Sequence, residues 1–327
     1  MRNKKNVLIT GITGFVGSHL ADYLLKNTDS KIFGLKRINS RLDNIKDILE
    51  KITLIDGDLI DQSSLINTIK ISKPDHIYHL GALSWVKPSW DMPAAYMQTN
   101  AIGTINLFEA LRNTDSRPKI LVSCTPEEYG DVPKELIPIT EETRLAPVNL
   151  YAASKTAQDV VCQAYQASYG FKVIRTRAFN HEGPRRDKMG ALSSFAYQIA
   201  RIEKGLQEPK VKVGNLTAKR NFTDVRDMVK AYYLAMEKGI PGELYLIGSN
   251  QIFTIKECLE MLINLSPMKD RIKYKVVPER IRPTELSILI GKFDKFEKLT
   301  GWKPKIPFRE TLDSILDYWR ESLSAKK

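Results

Sequence analysis

The sequence predicts an α/β fold, a doubly wound parallel sheet with a smaller α/β lobe on its C-terminal side. Three observations carry the prediction. Short β-rich runs alternate with helix-period segments through about residue 178, the pattern of parallel strands joined by crossover helices. A glycine-rich turn sits between the first run and the first helical segment, where a doubly wound sheet receives a ligand. Beyond residue 178 the alternation gives way to loop, one long helix and a tail containing Pro278, Pro283, Pro304 and Pro307.

Strands are expected at Asn6–Thr10, Lys31–Leu35, Ile52–Ile55, His76–Leu80, Ile120–Ser123, Lys172–Thr176 and Leu244–Ile247. These are short apolar runs, as in strands covered on both faces. Apolar residues at helical spacing place helices at Phe15–Leu25, Ser63–Ile71, Ala101–Arg112, Tyr151–Tyr169 and Ser193–Lys204. Residues 1–178, with a return at 216–250, are expected to form the first domain, and residues 179–215 and 251–327 the smaller lobe.

A chain of 327 residues has room for two domains of about 100–200 residues each. Its 43% hydrophobic and 27% charged residues are ordinary globular values, and 18 Gly with 16 Pro exclude a collagen-like or low-complexity chain. The three cysteines, Cys124, Cys162 and Cys258, form no CxxC pair, so no metal site is expected and a reducing compartment suits them. No apolar run approaches the ~20 residues of a membrane span, and Val7–Ile9 is too short for a signal-peptide core. The expectation is a soluble, cytoplasmic protein. The net charge of +12 is spread among acids without a dense basic tract, which favours an anionic small-molecule partner over nucleic acid or a membrane.

The run Gly11-Ile12-Thr13-Gly14-Phe15-Val16-Gly17 joins the first strand to the first helix. Glycines there allow a tight turn and a close approach of backbone to a pyrophosphate at the helix N-terminus, so the sheet is of Rossmann type. The second strand runs into Lys36 and Arg37, with Ser40 and Arg41 following and no acid before Asp43. Bases there accommodate a 2′-phosphate, pointing to NADP. Asp58-Leu59 after the third strand, and Leu80-Gly81-Ala82 after the fourth, are expected beside the adenine and the nicotinamide ribose. His79 reads better as a satisfied strand-end histidine than as a base. Tyr151 and Lys155 open a helix four residues apart, on one face. An ammonium beside a phenol lowers its pKa, making Tyr151 a usable acid/base.

With these elements go Thr125-Pro126-Glu127-Glu128-Tyr129-Gly130, Asn180-His181-Glu182-Gly183-Pro184-Arg185-Arg186, Gly214 to Arg220 with Phe222-Thr223-Asp224-Val225, and Arg282-Pro283-Thr284-Glu285-Leu286 ahead of Gly301-Trp302-Lys303-Pro304. Over nearly its whole length the chain resembles an extended short-chain dehydrogenase/reductase acting on nucleotide sugars. It is most similar to GDP-mannose 4,6-dehydratases and their relatives, the GDP-4-keto-6-deoxy-mannose reductases. The resemblance implies roles. Thr125 and Tyr151 would hold the sugar O4, Lys155 the nicotinamide ribose, and Glu127 would shuttle the C5 proton. Ser84, Asn180, Arg186, Arg220, Arg282 and Glu285 would bind the nucleotide diphosphate sugar. The Arg37–Arg41 segment resembles a loop that reaches a neighbouring subunit's cofactor, implying a homodimer or homotetramer.

The implied reaction is NADP-dependent 4,6-dehydration of GDP-mannose or another GDP-hexose, a lyase step: oxidation at C4, loss of water across C5 and C6, reduction at C6. Pro126 stands where sugar dehydratases carry Asp or Ser, and it cannot protonate a departing hydroxyl. Arg185-Arg186 leans towards the dehydratases. The alternatives are an NADPH-dependent reductase of the 4-keto-6-deoxy sugar, a GDP-heptose dehydratase, and a non-catalytic dinucleotide-sensing or RNA-binding relative.

Overall fold

The computed structural model describes residues 4–324. The chain runs β1 (Asn6–Thr10), α1 (Phe15–Asn27), β2 (Lys31–Lys36), a 3-10 stretch over Asp43–Lys51, β3 (Thr53–Asp56), α2 (Gln62–Ser72) and β4 (His76–His79). A short helix α3 (Pro93–Tyr96) continues through a π-helical turn, Met97–Ile102, into α4 (Gly103–Asn113). Then come β5 (Lys119–Cys124), a 3-10 turn over Pro126–Tyr129, α5 (Leu150–Tyr169) and β6 (Lys172–Ala178). The remainder comprises β7 (His181–Glu182), α6 (Ala191–Glu203), β8 (Lys210–Val213), β9 (Lys219–Asn221), β10 (Thr223–Asp224), α7 (Val225–Lys238) and β11 (Leu244–Ile247). It closes with β12 (Ile252–Thr254), α8 (Ile255–Asn264), β13 (Lys273–Val276), β14 (Ile288–Leu289), α9 (Asp294–Thr300) and α10 (Phe308–Ser324).

Seven strands form one parallel sheet in the order β11-β6-β5-β4-β1-β2-β3. All seven are the strands expected from the sequence; Asn6–Thr10 and Leu244–Ile247 keep their expected bounds and the ends of the other five move by one or two residues. Successive residues of β1 serve opposite faces. Val7 and Ile9 pack with Leu20 and Leu24 of α1 and Met228 and Tyr232 of α7. Leu8 packs with Leu65 and Ile69 of α2, Leu107 and Phe108 of α4 and Cys162 of α5. A sheet covered on both sides explains why its strands read as apolar runs instead of alternating ones. Each large apolar side chain so buried contributes about 1.5–3 kcal/mol of transfer free energy.

The winding reverses between β1 and β4, so their carboxyl ends open a crevice. Thr10 of β1 pairs in register with His79 of β4 at that edge. A separate cluster of buried residues joins α6, β8, α8 and α10 around Phe195, Ile199, Leu259, Leu262, Phe308 and Leu312. Small sheets accompany it: β13 on β8, β12 and β14 on β9, and β10 on β7. The helix expected from Ala101 begins as the π-helical turn and becomes α-helical at Gly103. Asn100 lies in that turn. Its side chain accepts from Leu83 N at 2.8 Å and donates to Leu83 O at 3.0 Å and to Ser154 Oγ at 2.9 Å. Among the described residues no helix is long and apolar enough to cross a membrane.

Candidate active site

The carboxyl ends of β1, β4, β5 and β6 face α6, β8 and the 279–289 segment across a cleft of about 1430 Å³. That exceeds the ~300–1,000 Å³ of a pocket for one small ligand, and leaves room for a dinucleotide with a second nucleotide beside it. Gly11, Thr13, Gly14, Phe15, Val16, Gly17, Lys36, Arg37, Asp58, Leu59, Leu80, Gly81, Ala82, Ser84, Thr125, Glu127, Tyr151, Lys155, Asn180, Arg186, Arg220, Arg282 and Glu285 all line it. Arg41 does not. It is exposed and pairs with Asp43 at 2.8 Å, a local partner two residues on.

The glycine turn is built for close approach. Gly11 has φ +73°, and a Cβ on it would lie 2.9 Å from Gly81 Cα. A Cβ on Gly17 would sit 2.2 Å from Gly11 O, inside van der Waals contact. The N-cap of α1 is Gly14, which offers no side-chain cap, and the first turn carries no acid. Its N–H groups therefore remain available to an anion. Lys36 is ion-paired with Asp56, whereas Arg37 extends from the strand end as an exposed cation.

Under this turn lies a buried polar chain. Thr10 Oγ1 accepts from Leu80 N at 3.1 Å and Gly81 N at 3.0 Å, and its hydroxyl meets His79 Nδ1 at 2.9 Å. Thr104 Oγ1 donates to Asn100 O at 2.7 Å, accepts from Gln158 Nε2 at 2.8 Å, and meets His79 Nε2 at 2.9 Å. The Thr10 hydrogen goes to His79 and the Thr104 hydrogen to Asn100, so His79 carries its proton on Nε2. Burial, and then Lys155, push this imidazole down to about 3. His79 is thus a neutral structural bridge. Gln158 Oε1 in turn accepts from Lys155 Nζ, which also donates to Ser123 O.

Burial outweighs the expected acidification of Tyr151 by Lys155 in this fold. One helical turn puts the two on the same face, but two of the Lys155 ammonium's three donors go to Ser123 O and Gln158 Oε1, and burial lowers its own pKa. Burial pushes the Tyr151 phenol up; Thr125 draws it back, while Glu127 and Glu128 push the same way as burial. Thr125 and Tyr151 line the same cleft.

Thr125 begins the 3-10 turn as its N-cap, accepting from Glu127 N at 3.4 Å. Its own N–H donates to Glu128 Oε1 at 2.9 Å, completing a capping box. Glu128 is wholly buried. Its Oε2 takes Arg177 Nε at 2.9 Å, and Arg177 also reaches Asp159 Oδ2 at 2.6 Å and Tyr129 Oη at 2.8 Å. Arg175 takes Asp159 Oδ1 at 2.6 Å. Burial raises the Glu128 carboxyl, with Arg177 pulling it back; Asp159 is buried too, but Arg177 and Arg175 hold it low. Cys124, Glu128 and Asp159 bring ligand atoms within 4.8 Å, yet both carboxylates already serve guanidinium groups, so the cluster reads as an ion network.

Glu127 Oε2 accepts from Asn149 Nδ2 at 2.7 Å. Arg220 is buried and donates to Leu286 O at 2.7 Å and Lys219 O at 2.8 Å, with Glu127, Arg282 and Glu285 close enough to act on its charge. Through Arg220, Glu127 is thereby linked electrostatically to the 282–285 segment. Asn149, Gln158, Thr104 and Glu128 were not singled out from sequence. Asn149 carried a signal there as a capping residue immediately before a helix, and Glu128 as the fourth residue of the T-x-x-E pattern at 125–128.

A sheet of this order, a glycine turn at its switch point and a Thr-Tyr-Lys group facing it define an extended short-chain dehydrogenase/reductase. The chain belongs to the GDP-mannose 4,6 dehydratase family, whose model matches residues 8–315. It is 32% identical over 315 residues to the GDP-6-deoxy-D-mannose reductase of Pseudomonas aeruginosa, covering 96% of this chain and 97% of that one. It is 31% identical to GDP-mannose 4,6 dehydratase 1 of Arabidopsis thaliana, covering 97% and 90%. Among solved structures, RMD from Pseudomonas aeruginosa complexed with NADPH superimposes with a TM-score of 0.82 at 30% identity, covering 98% of both chains.

Proposed function

We propose that the protein is an NADP-dependent 4,6-dehydratase of a GDP-hexose, GDP-mannose in the first instance. The observation that carries this reading is the carboxylate of Glu127, held in the cleft beside Thr125 and Tyr151. A ketone reductase needs an acid for O4 but no base for C5.

The residues fit a dinucleotide: Gly11 and Gly17 leave a cradle that a Cβ would fill, and the uncapped start of α1 points into the same cleft. Gly11 to Gly17 would hold the pyrophosphate, Asp58 and Leu59 the adenine side, Leu80 to Ala82 with Lys155 the nicotinamide ribose, and Lys36 with Arg37 a 2′-phosphate. When bound, the nicotinamide supplies a hydride acceptor for C4 and a hydride donor for C6. Tyr151 would act as the phenolate, the form that the Lys155 ammonium and the positive charge of a bound oxidised nicotinamide favour against burial, and take the O4 proton as the carbinol becomes a ketone. The ketone acidifies C5–H. Glu127 removes that proton, the C5–C6 double bond forms, and the C6–O bond breaks. Pro126 has no proton to offer, so Glu127 returns its proton to the departing hydroxyl, which leaves as water; Glu127 would then take a proton from solvent and deliver it to C5 as C6 is reduced. General acid–base groups of this kind are worth about 10²–10⁴-fold each. Ser84, Asn180, Arg186, Arg220, Arg282 and Glu285 would hold the sugar and its diphosphate, and subunits would pair as a homodimer or homotetramer.

Incubation with GDP-mannose and catalytic NADP⁺ is expected to give a product lighter by one water, without net cofactor consumption. Pro126 and the 32% relative named as a reductase favour the second reading, a 4-keto-6-deoxy-sugar reductase. That enzyme would consume NADPH stoichiometrically and leave GDP-mannose untouched. Arg37→Ala is expected to weaken NADP⁺ binding about tenfold, the loss of one charge-assisted contact, with NAD⁺ binding unchanged. Equal effects on the two cofactors, read by fluorescence titration, would remove Arg37 from the 2′-phosphate.

A further inference from the structure

Asn149 is the N-cap of α5, with an extended backbone at φ −140° and ψ 162°. It is 6% exposed. Its Oδ1 accepts from Ala152 N at 2.7 Å, and its Nδ2 donates to Glu127 Oε2 at 2.7 Å. The neighbours fix the amide's orientation, because a backbone N–H demands the oxygen and a carboxylate demands the nitrogen. A helix cap requires only the oxygen, and Ser, Thr or Asp supplies it as well. The amide nitrogen is thus surplus to the cap, and it goes to the Glu127 carboxylate in the cleft.

We propose that Asn149 is a positioning residue for proton transfer at C5, locking the Glu127 carboxylate to the helix that carries Tyr151. The inference rests on the dehydratase reading. Tyr151 serves O4 and Glu127 serves C5–H, on adjacent carbons of one sugar, so their separation must be held to a fraction of a bond length. Glu127 comes from the turn after β5 and Tyr151 from the first turn of α5, two segments that are distant in sequence. One planar amide, two residues before Tyr151, bonds to both. It occupies Oε2 and leaves Oε1 without a protein donor among the described residues, available to a substrate proton. Glu127 is itself only half-buried, so without the amide its rotamers are unconstrained on that side. Misplacement of a reacting group by about 1 Å costs about 10²-fold.

The test uses Asn149→Ser, which keeps the cap and is too short to reach Glu127; Asn149→Asp, a cap without a donor, serves if the Ser variant does not fold. The expected result is a melting temperature and GDP-mannose affinity near wild type and C4 oxidation, read as reduced-nicotinamide absorbance in a single turnover, within a fewfold. Dehydrated product should form about 10–10²-fold more slowly. In a Glu127→Gln background the same substitution should cost nothing further, because the pair acts as a unit. A cap-only role predicts something else: both steps falling together with the melting temperature, or an undiminished loss in the Glu127→Gln background. Either would overturn the proposal, as would an unchanged dehydration rate. Absence of dehydrated product from the wild-type enzyme would instead remove the reading beneath it.

Discussion

Replacing Arg177 with Met is expected to lower the stability of the fold by about 3–5 kcal/mol, the cost of breaking a buried ion network from one side. Arg177 is 3% exposed, and Glu128 and Asp159 are fully buried. Its guanidinium is the partner of Glu128 Oε2, of Asp159 Oδ2 and of the Tyr129 hydroxyl. Met fills similar volume, so the loss is one of charge and donors, not packing. Arg175 would remain on Asp159 Oδ1, but Glu128 would keep only the Thr125 N–H. Glu128→Gln should cost less, about 1–3 kcal/mol for one mismatched buried contact, because Asp159 keeps both arginines. The check is a comparison of urea midpoints for the two variants. Equal midpoints, or an Arg177→Met midpoint at the wild-type value, would show the network to be a spectator.

The network matters for chemistry because Glu128 also accepts from Thr125 N, and Thr125 lines the cleft with Tyr151. The ion network therefore anchors the turn through Glu128. We expect Glu128→Gln to lose activity beyond what its stability loss explains.

The parts of this molecule that were legible in sequence are those governed by local rules. Apolar runs such as Asn6–Thr10 and Leu244–Ile247 announce strands covered on both faces, and a glycine turn between strand and helix announces its own backbone demands. The YxxxK spacing reliably places Tyr151 and Lys155 on one helical face. It does not say where a four-carbon side chain ends, and here the ammonium goes to Ser123 and Gln158. Polar partners supplied by other elements left no periodic trace. Thr104 and Gln158 look like ordinary helix residues until α4 and α5 pack together, and Glu128 looks like one of two surface acids until β6 presents Arg177. The short strands β7, β10 and β14 are two residues each, below any length at which alternation can be read. The π-helical turn at Met97–Ile102 is likewise a tertiary effect, made where Asn100 bonds inward to Leu83 and Ser154.

Glu127→Gln is expected to reduce dehydration of GDP-mannose by about 10²–10⁴-fold while leaving reduction of a 4-keto-6-deoxy sugar by NADPH largely intact. The substitution is nearly isosteric, and the Gln oxygen can still accept from Asn149 Nδ2, so the loss is confined to proton affinity. Arg220, which feels the Glu127 charge, retains its carbonyl partners at 286 and 219, so binding of the diphosphate should change little. Solvent deuterium then separates the steps. The wild-type enzyme should place deuterium at C5 of the product, whereas the Gln variant should oxidise C4 and stall. Tyr151→Phe is the contrasting case, because O4 is deprotonated in one direction and protonated in the other, and both activities should fall together. If the Gln variant dehydrates at the wild-type rate, the base at C5 is another group of the cleft, and the placement of Glu127 beside Tyr151 has a different purpose.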